Sequence, residues 1–341
     1  VTPEGLPRAG LSVNTTADGA YPQFYSGQWF LDIQQQLGFD TLLTIGYNGT
    51  STSQLARAIN VNRPVTLGDG SNNVNPRRVR PFFNNVNQRG VLFLNQNYNS
   101  LTVKAEKRFT DGFTFLQSFT WSHNIDVSNE NLTQGTTAQS RYTYNQGIER
   151  ANASLDRRLA YVASVVYELP FGKGKPYLNS GAGRWILGGW QVGGILSLLG
   201  GTPDSHTVNV NSTGVGGANR GDLARDPNLP ASERTIDRWF DTDDCRPIGP
   251  GCAFQPGQPF QLDNAGRNLI WGPPTRNFDF SLSRRFDITE RQWLQFRFES
   301  FNFTNTPTFG RPNTAVGGAN MGRITTAAEP RRIQFGLKYN F

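Results

Sequence analysis

Three features of this sequence predict an all-β fold of antiparallel strands closed into a membrane-crossing barrel. Segments of about ten residues alternate apolar with polar side chains, the length a tilted strand needs to cross a bilayer. Their connections alternate between short and long along the whole chain. Aromatic residues reach 12%, while hydrophobic residues total only 36% and mean hydropathy is -0.49. A polar chain so rich in Phe, Tyr and Trp suits strands that offer one face to an apolar medium and the other to water. The length, 341 residues, exceeds a typical domain but is ordinary for one closed β-barrel. The chain starts at Val1 with no charged-then-apolar leader, so it is expected to be a processed form or a piece of a longer protein.

Taken in order, residues 1–23 are polar and show no period. A first strand is expected over 28–36, where Trp29, Leu31 and Ile33 alternate with Phe30, Asp32 and Gln34. The turn Gly38-Phe39-Asp40 leads into 41–47, with Leu43, Ile45 and Tyr47 on one face. The second hairpin sets Leu101, Val103 and Ala105 against Lys104, Glu106 and Arg108, and turns at Asp111-Gly112. Phe113, Phe115, Phe119 and Trp121 then share a face opposite Thr114, Ser118, Thr120 and Ser122. Charges at successive inward positions would spoil a dry core but suit a wet lumen. In the next strand, Leu159, Tyr161, Ala163, Val165 and Tyr167 share a face.

Trp185 to Gly201 is the one stretch that could pass for a membrane helix, and it contains Gly189-x-x-x-Gly193. It falls short of the roughly 20 apolar residues a span needs, and its paired glycines fit a strand over 190–198 better. A third hairpin pairs Phe278, Phe280 and Leu282 with Leu294, Phe296 and Phe298, leaving Arg297 and Glu299 on the wet side. The last strand places Ile333, Phe335, Leu337, Tyr339 and Phe341 on one face. The count is about nine strands. Short connections fall near 37–40, 109–113, 169–185 and 286–291, and long ones near 48–97, 124–156, 202–273 and 304–331. If the short turns share one side of a membrane, every long loop lies on the other, an arrangement outer-membrane barrels have.

Charge and motif content narrow the function classes. The net charge of +7 is scattered, and no basic helix or finger gathers it, so nucleic acid is not an expected partner. Cys245 and Cys252 lie in a Pro/Gly-rich loop without a second pair, which predicts a short-loop disulfide and argues against zinc. Lys173-Gly174-Lys175 lacks the spacing of a phosphate-binding loop. His123 and His206 follow Ser122 and Ser205, but sequence adjacency does not orient a nucleophile toward a base. No enzyme and no cofactor is therefore expected. Asp241, Asp243 and Asp244 lack the spacing of a calcium loop. Val215-Gly-Gly-Ala-Asn219 recurs as Val316-Gly-Gly-Ala-Asn320, too short an echo to define a repeat.

In shared order, several segments resemble the C-terminal barrel of TonB-dependent outer-membrane receptors, specifically the Oar-like group with a carboxypeptidase-regulatory-like domain. They are Gln28 through Gly49, Tyr98 through Ser122, Tyr167 through Gly172, Gly188 through Gln191, Gly266 through Asn268 with Gly272-Pro273, and Phe298 through Asn302. The C-terminal Gln334-x-Gly336-x-x-Tyr339-x-Phe341 has the spacing of the outer-membrane β-signal read by the barrel-assembly machinery.

The resemblance implies a 22-stranded barrel in the bacterial cell outer membrane. Residues 1–341 would form its C-terminal part, with long extracellular loops and short periplasmic turns, and the plug domain and TonB box would lie outside this chain. It further implies energised uptake or export of an unidentified extracellular ligand. The implied partners are outer-membrane lipid, the barrel-assembly machinery and TonB, reached through the N-terminal region. Lys104, Glu106, Arg108, Arg297 and Glu299 are expected to face the lumen, and Phe296 to lie near mid-bilayer. A passive porin or surface adhesin is the alternative. A soluble sugar-binding protein that stacks Trp29, Trp121 and Trp190 on its ligand is a third reading.

Overall fold

The computed structural model describes residues 11–16, 23–68, 74–127, 140–208, 214–216 and 219–341. Its framework is a set of strands: β1 (Leu11–Thr16), β2 (Tyr25–Leu37), β3 (Thr41–Asn60), β4 (Phe83–Thr110), β5 (Phe113–Asp126), β6 (Leu159–Glu168), β7 (Trp190–Leu199), β8 (Thr275–Asp287), β9 (Trp293–Phe301) and β10 (Arg332–Asn340). β2 to β10 lie side by side in chain order, each antiparallel to the next. These strands coincide with the alternating segments of the sequence. The alternation predicts a closed wall; among the described residues the path is open, with β2 and β10 at its ends.

Register carries the pattern of each strand across the sheet. Residues directly opposite one another share a face. One row runs Ile33, Ile45, Val103, Phe119, Tyr161, Leu198 from β2 to β7. A second runs Phe113, Tyr167, Val192, Leu282, Phe298, Phe335 from β5 to β10. Both rows lie on the same face. The other face carries Thr44, Lys104 and Ser118 in one row, and Gln191, Ser283, Arg297 and Gly336 in another.

Two strands outrun their expected ends. β3 and β4 continue through 48–60 and 83–97, which the sequence reads as loop. Near the wall these extensions are polar (Asn48, Thr50 and Thr52 opposite Ser100, Tyr98 and Gln96) and farther out Leu55 meets Leu94, so the strict alternation lapses while the backbone ladder persists. The added strand β1, in a segment without period, lies parallel on β4 at Phe83–Arg89. Asn85 and Asn87 donate side-chain hydrogen bonds to Ser12 and Asn14, both at 3.2 Å. Trp185 to Gly201 is divided. A seven-residue helix, α1 (Gly181–Leu187), ends at Gly188, and β7 begins at Trp190. No helix among the described residues is long and apolar enough to cross a membrane, which says nothing against crossing by strands.

Three connections on one side are short, 38–40, 111–112 and 288–292, while the fourth there, 169–189, is nearly as long as 61–82 on the other side, where 127–158, 200–274 and 302–331 are longer still. The long loops hold the fully buried apolar core, in which Phe240, Phe254, Ile270, Met321, Cys245 and Cys252 are wholly inaccessible. Short ladders pin this cap together. Pro203–Asp204 pairs with Ile270–Trp271, Asp222–Leu223 with Phe254–Gln255, and Thr207–Val208 runs parallel to Ala315–Val316.

Candidate functional site

Two regions gather the polar chemistry: the polar face of the sheet and a buried ionic cluster in the cap. On the polar face, Lys104 and Glu106 form an ion pair, as do Arg297 and Glu299, each pair two residues apart on one strand. The side-chain amide of Gln334 donates to Glu299 from the neighbouring strand. Arg297 lies opposite Gly336. Arg108 lies near the end of β4, where the one-to-one register with β5 shifts between Lys107 and Thr110. Toward the short connections, Glu168, Lys175, Gln191, Ser283, Arg285 and Gln295 line a polar hollow of about 240 Å³. Lys175 and Glu168 pair across it at 2.9 Å.

Phe296 lies one residue from the middle of β9, opposite Arg284 and Leu337, with its ring edge-on to Trp190 at 6.0 Å. Leu282, opposite Val192 and Phe298, likewise lies one residue from the middle of β8.

The cap cluster draws on loops distant in sequence. Glu149, 1% exposed, accepts both terminal guanidinium nitrogens of Arg220, at 2.6 and 3.3 Å. It also accepts the Arg141 backbone N–H at 2.9 Å. Arg267 donates to the Glu149 carbonyl at 2.9 Å and pairs with Asp126 at the end of β5. Asp263 accepts the backbone N–H of Gly221 at 2.9 Å, and the Arg141 guanidinium donates to its carbonyl oxygen. Burial alone would push the Glu149 carboxyl up. The hydrogen bond and charge of Arg220, joined by Arg141, outweigh it and hold the group below the usual carboxylate range. His206 is buried against Phe254, ring centroids 4.2 Å apart, with Nε2 2.8 Å from the Arg220 carbonyl oxygen. Desolvation pushes its pKa down to about 4, so the ring is neutral at pH 7.

Other contacts draw the remaining long loops into the same body. Arg63 donates to the Ser140 carbonyl at 2.9 Å, Tyr142 to that of Val65, and Arg246 to that of Met321 at 2.6 Å. Cys245 and Cys252 are joined by a disulfide with Cα atoms 4.8 Å apart. The recurring five-residue motif has a structural counterpart. Val215 and Val316 are both buried, and each is followed by a glycine at positive φ, Gly216 at +71° and Gly317 at +82°. None of the arginine cluster is legible in the sequence, because single charged residues in aperiodic loops carry no spacing signal.

The remaining candidates have other partners. Ser122 donates to the Arg157 carbonyl at 2.7 Å, and Ser205 to the Asn268 side chain at 2.8 Å. The guanidinium of Arg158 donates to His123 at 2.9 Å. Asp241 pairs with Arg225 at 2.6 Å, Asp243 with Arg238 at 2.6 Å, and Asp244 accepts the Gly251 N–H at 2.7 Å. Trp29, Trp121 and Trp190 lie on β2, β5 and β7, with intervening strands between each, so they do not form one stacking groove.

Comparison with known proteins agrees with this architecture. The outer membrane transporter YddB from Escherichia coli is similar over 98% of this chain and 34% of its own, with 10% identity and a TM-score of 0.50. The P. aeruginosa protein FpvA, solved with a heterologous pyoverdine, is similar over 93% of this chain and 31% of its own, at 8% identity and a TM-score of 0.40. The chain thus spans about a third of the solved transporters it matches. No curated protein matches it. The family described as outer membrane beta barrel domain matches residues 2–334. The chain belongs to that family and is a protein of the bacterial outer membrane.

Proposed function

We propose that the chain is part of the wall and extracellular cap of a TonB-dependent, Oar-like transporter that moves an unidentified ligand across the outer membrane. Residues 1–341 would supply the C-terminal barrel strands of such a receptor. The apolar face meets lipid, and the polar face with Lys104, Glu106, Arg297 and Glu299 meets the lumen. The observation that carries this reading is the separation of the two faces across the paired strands β2 to β10, with few exceptions such as Arg284 on the apolar face and Ile195 on the polar one. A bilayer demands that every strand pair its backbone with neighbours, and a water-filled interior demands polar side chains behind them. Transport would be conformational, with no covalent step: the serines and histidines considered above as nucleophile and base are committed to structural hydrogen bonds. In β10 and the residue after it, Gln334, Gly336, Tyr339 and Phe341 would present the assembly signal, with the Tyr339 and Phe341 rings stacked 5.9 Å apart.

Site-specific crosslinking of the natural full-length protein to TonB in living cells tests the coupling. A crosslink that depends on the energised inner membrane is expected. A folded barrel without one would leave the passive porin or adhesin reading in its place.

A further inference from the structure

The connection between β6 and β7 lies on the short-turn side, yet it holds the helix α1. Three consecutive large apolar residues there face outward: Trp185 is 70% exposed, Ile186 66% and Leu187 48%. Where the helix sits follows from its partners. The indole N–H of Trp190 and the guanidinium of Arg284 both donate to the Ile186 carbonyl oxygen, each at 2.9 Å. By register, Trp190 and Arg284 lie opposite each other and on the apolar face, in the row of Phe296. The end of α1 is therefore fastened to the apolar flank of the wall, away from its polar side.

Backbone contacts add to the fastening. The N–H of Gly189 bonds the Phe171 carbonyl at 3.2 Å, and that of Gly188 bonds the Arg184 carbonyl at 3.1 Å. A Cβ at Gly188 would meet the Gly172 Cα at 2.7 Å, so the turn and the helix end touch through backbone alone. Arg284 is otherwise anomalous, a guanidinium in an apolar row. Its charge lies over Phe286 at 4.3 Å and faces Trp190 at 5.7 Å, while the helix's terminal carbonyl satisfies a donor. Cations are tolerated on a lipid-facing surface near the interface and not at the midplane. Tryptophan gathers at the same level.

We propose that α1 is a membrane-interface anchor: Trp185, Ile186 and Leu187 bed into the phospholipid leaflet on the short-turn side, and Arg284 positions the helix there. The occupant is lipid because the patch is fastened through Ile186 to Trp190 and Arg284 on the apolar face of β7 and β8. A water-facing turn would leave three large apolar side chains unsupported. The inference rests on that face being the lipid-facing one.

The test uses the natural full-length protein in phosphatidylethanolamine–phosphatidylglycerol vesicles whose acyl chains are brominated near the headgroup. The Trp185 signal is the fluorescence difference between the native protein and Trp185→Phe. It is expected to be quenched by brominated lipid and shielded from aqueous acrylamide. Quenching by acrylamide alone would overturn the anchor, and shielding from both quenchers would assign the patch to a protein partner and overturn it too. The Trp121 signal, isolated with Trp121→Phe, separates the premises. If Trp121 is quenched by brominated lipid and Trp185 is not, only the anchor fails; if neither is, the facing of the wall fails. Arg284→Gln should keep the heat-resistant barrel but open Trp185 to acrylamide. Unchanged shielding would remove Arg284 from the role.

Discussion

The wall and the cap of this chain solve opposite solvent problems with the same composition. In β10, Phe335 and Leu337 are each 70% exposed, whereas Phe240 and Phe254 in the cap are fully buried. The wall buries its backbone in ladders and turns its apolar side chains outward. The cap is loop-rich, so it must draw its stability as a small water-soluble domain does, from an apolar core, a disulfide and buried ion pairs. The two regions share covalent strands but not a core. Their stabilities should therefore respond to different perturbations, and mutations that act on one and spare the other are the way to break the comparison.

The largest expected effect is in the cap. Glu149→Gln leaves Arg220 buried without its anionic partner and should cost about 3–5 kcal/mol of cap stability. Limited proteolysis of the long loops should rise while the heat-resistant barrel persists; equal loss of both would mean that cap and wall fold as one unit. Next is the wall. Leu282→Arg and Phe296→Arg, each one residue from the middle of its strand on the apolar face, should each cost about 2–4 kcal/mol of folding into vesicles. Arg297→Ala on the polar face should be mild. Similar losses for all three, measured by urea unfolding in vesicles, would refute the assignment of faces.

Acid should distinguish the regions as well. His206 is held below its ordinary pKa, so protons favour the opened cap: stability is full above pH 6.5 and falls as pH drops to about 4. The loss is roughly 3 kcal/mol, from the size of the shift. Below about pH 4.5 the depressed Glu149 carboxyl adds a further loss in the same direction. Hydrogen exchange should quicken in the cap and not in β5 to β10, and His206→Gln should flatten the part between pH 6.5 and 4. The last test specific to the cap is reduction of Cys245–Cys252. The loop it closes is short, with a sequence separation of 7, so its loss should cost about 2 kcal/mol and loosen only the cap.

How much of this is legible in the sequence divides along the same line. In the wall, a bilayer on one side and water on the other impose a period of two, and the turns Phe39-Asp40 and Asp111-Gly112 break it with residues at positive φ. In the upper parts of β3 and β4 the strict period lapses although the strands do not, as where Thr50 and Thr52 lie opposite Tyr98 and Gln96. α1 is hidden for a related reason: seven residues are too few for a helical period to stand out among glycines.

By itself, then, the amino-acid order determined the wall strands β2 to β10, their facing and the alternation of short and long connections, because each is a local consequence of the medium a strand must meet. Only the tertiary structure decided that Glu149 would find Arg220 and Arg141, that Met321 would join Phe240 and Phe254 in one core, and that Ile186 would be fastened by Trp190 and Arg284. Those partners come from separate loops or strands, and what joins them is the closing geometry of the folded chain, which leaves no trace in local spacing.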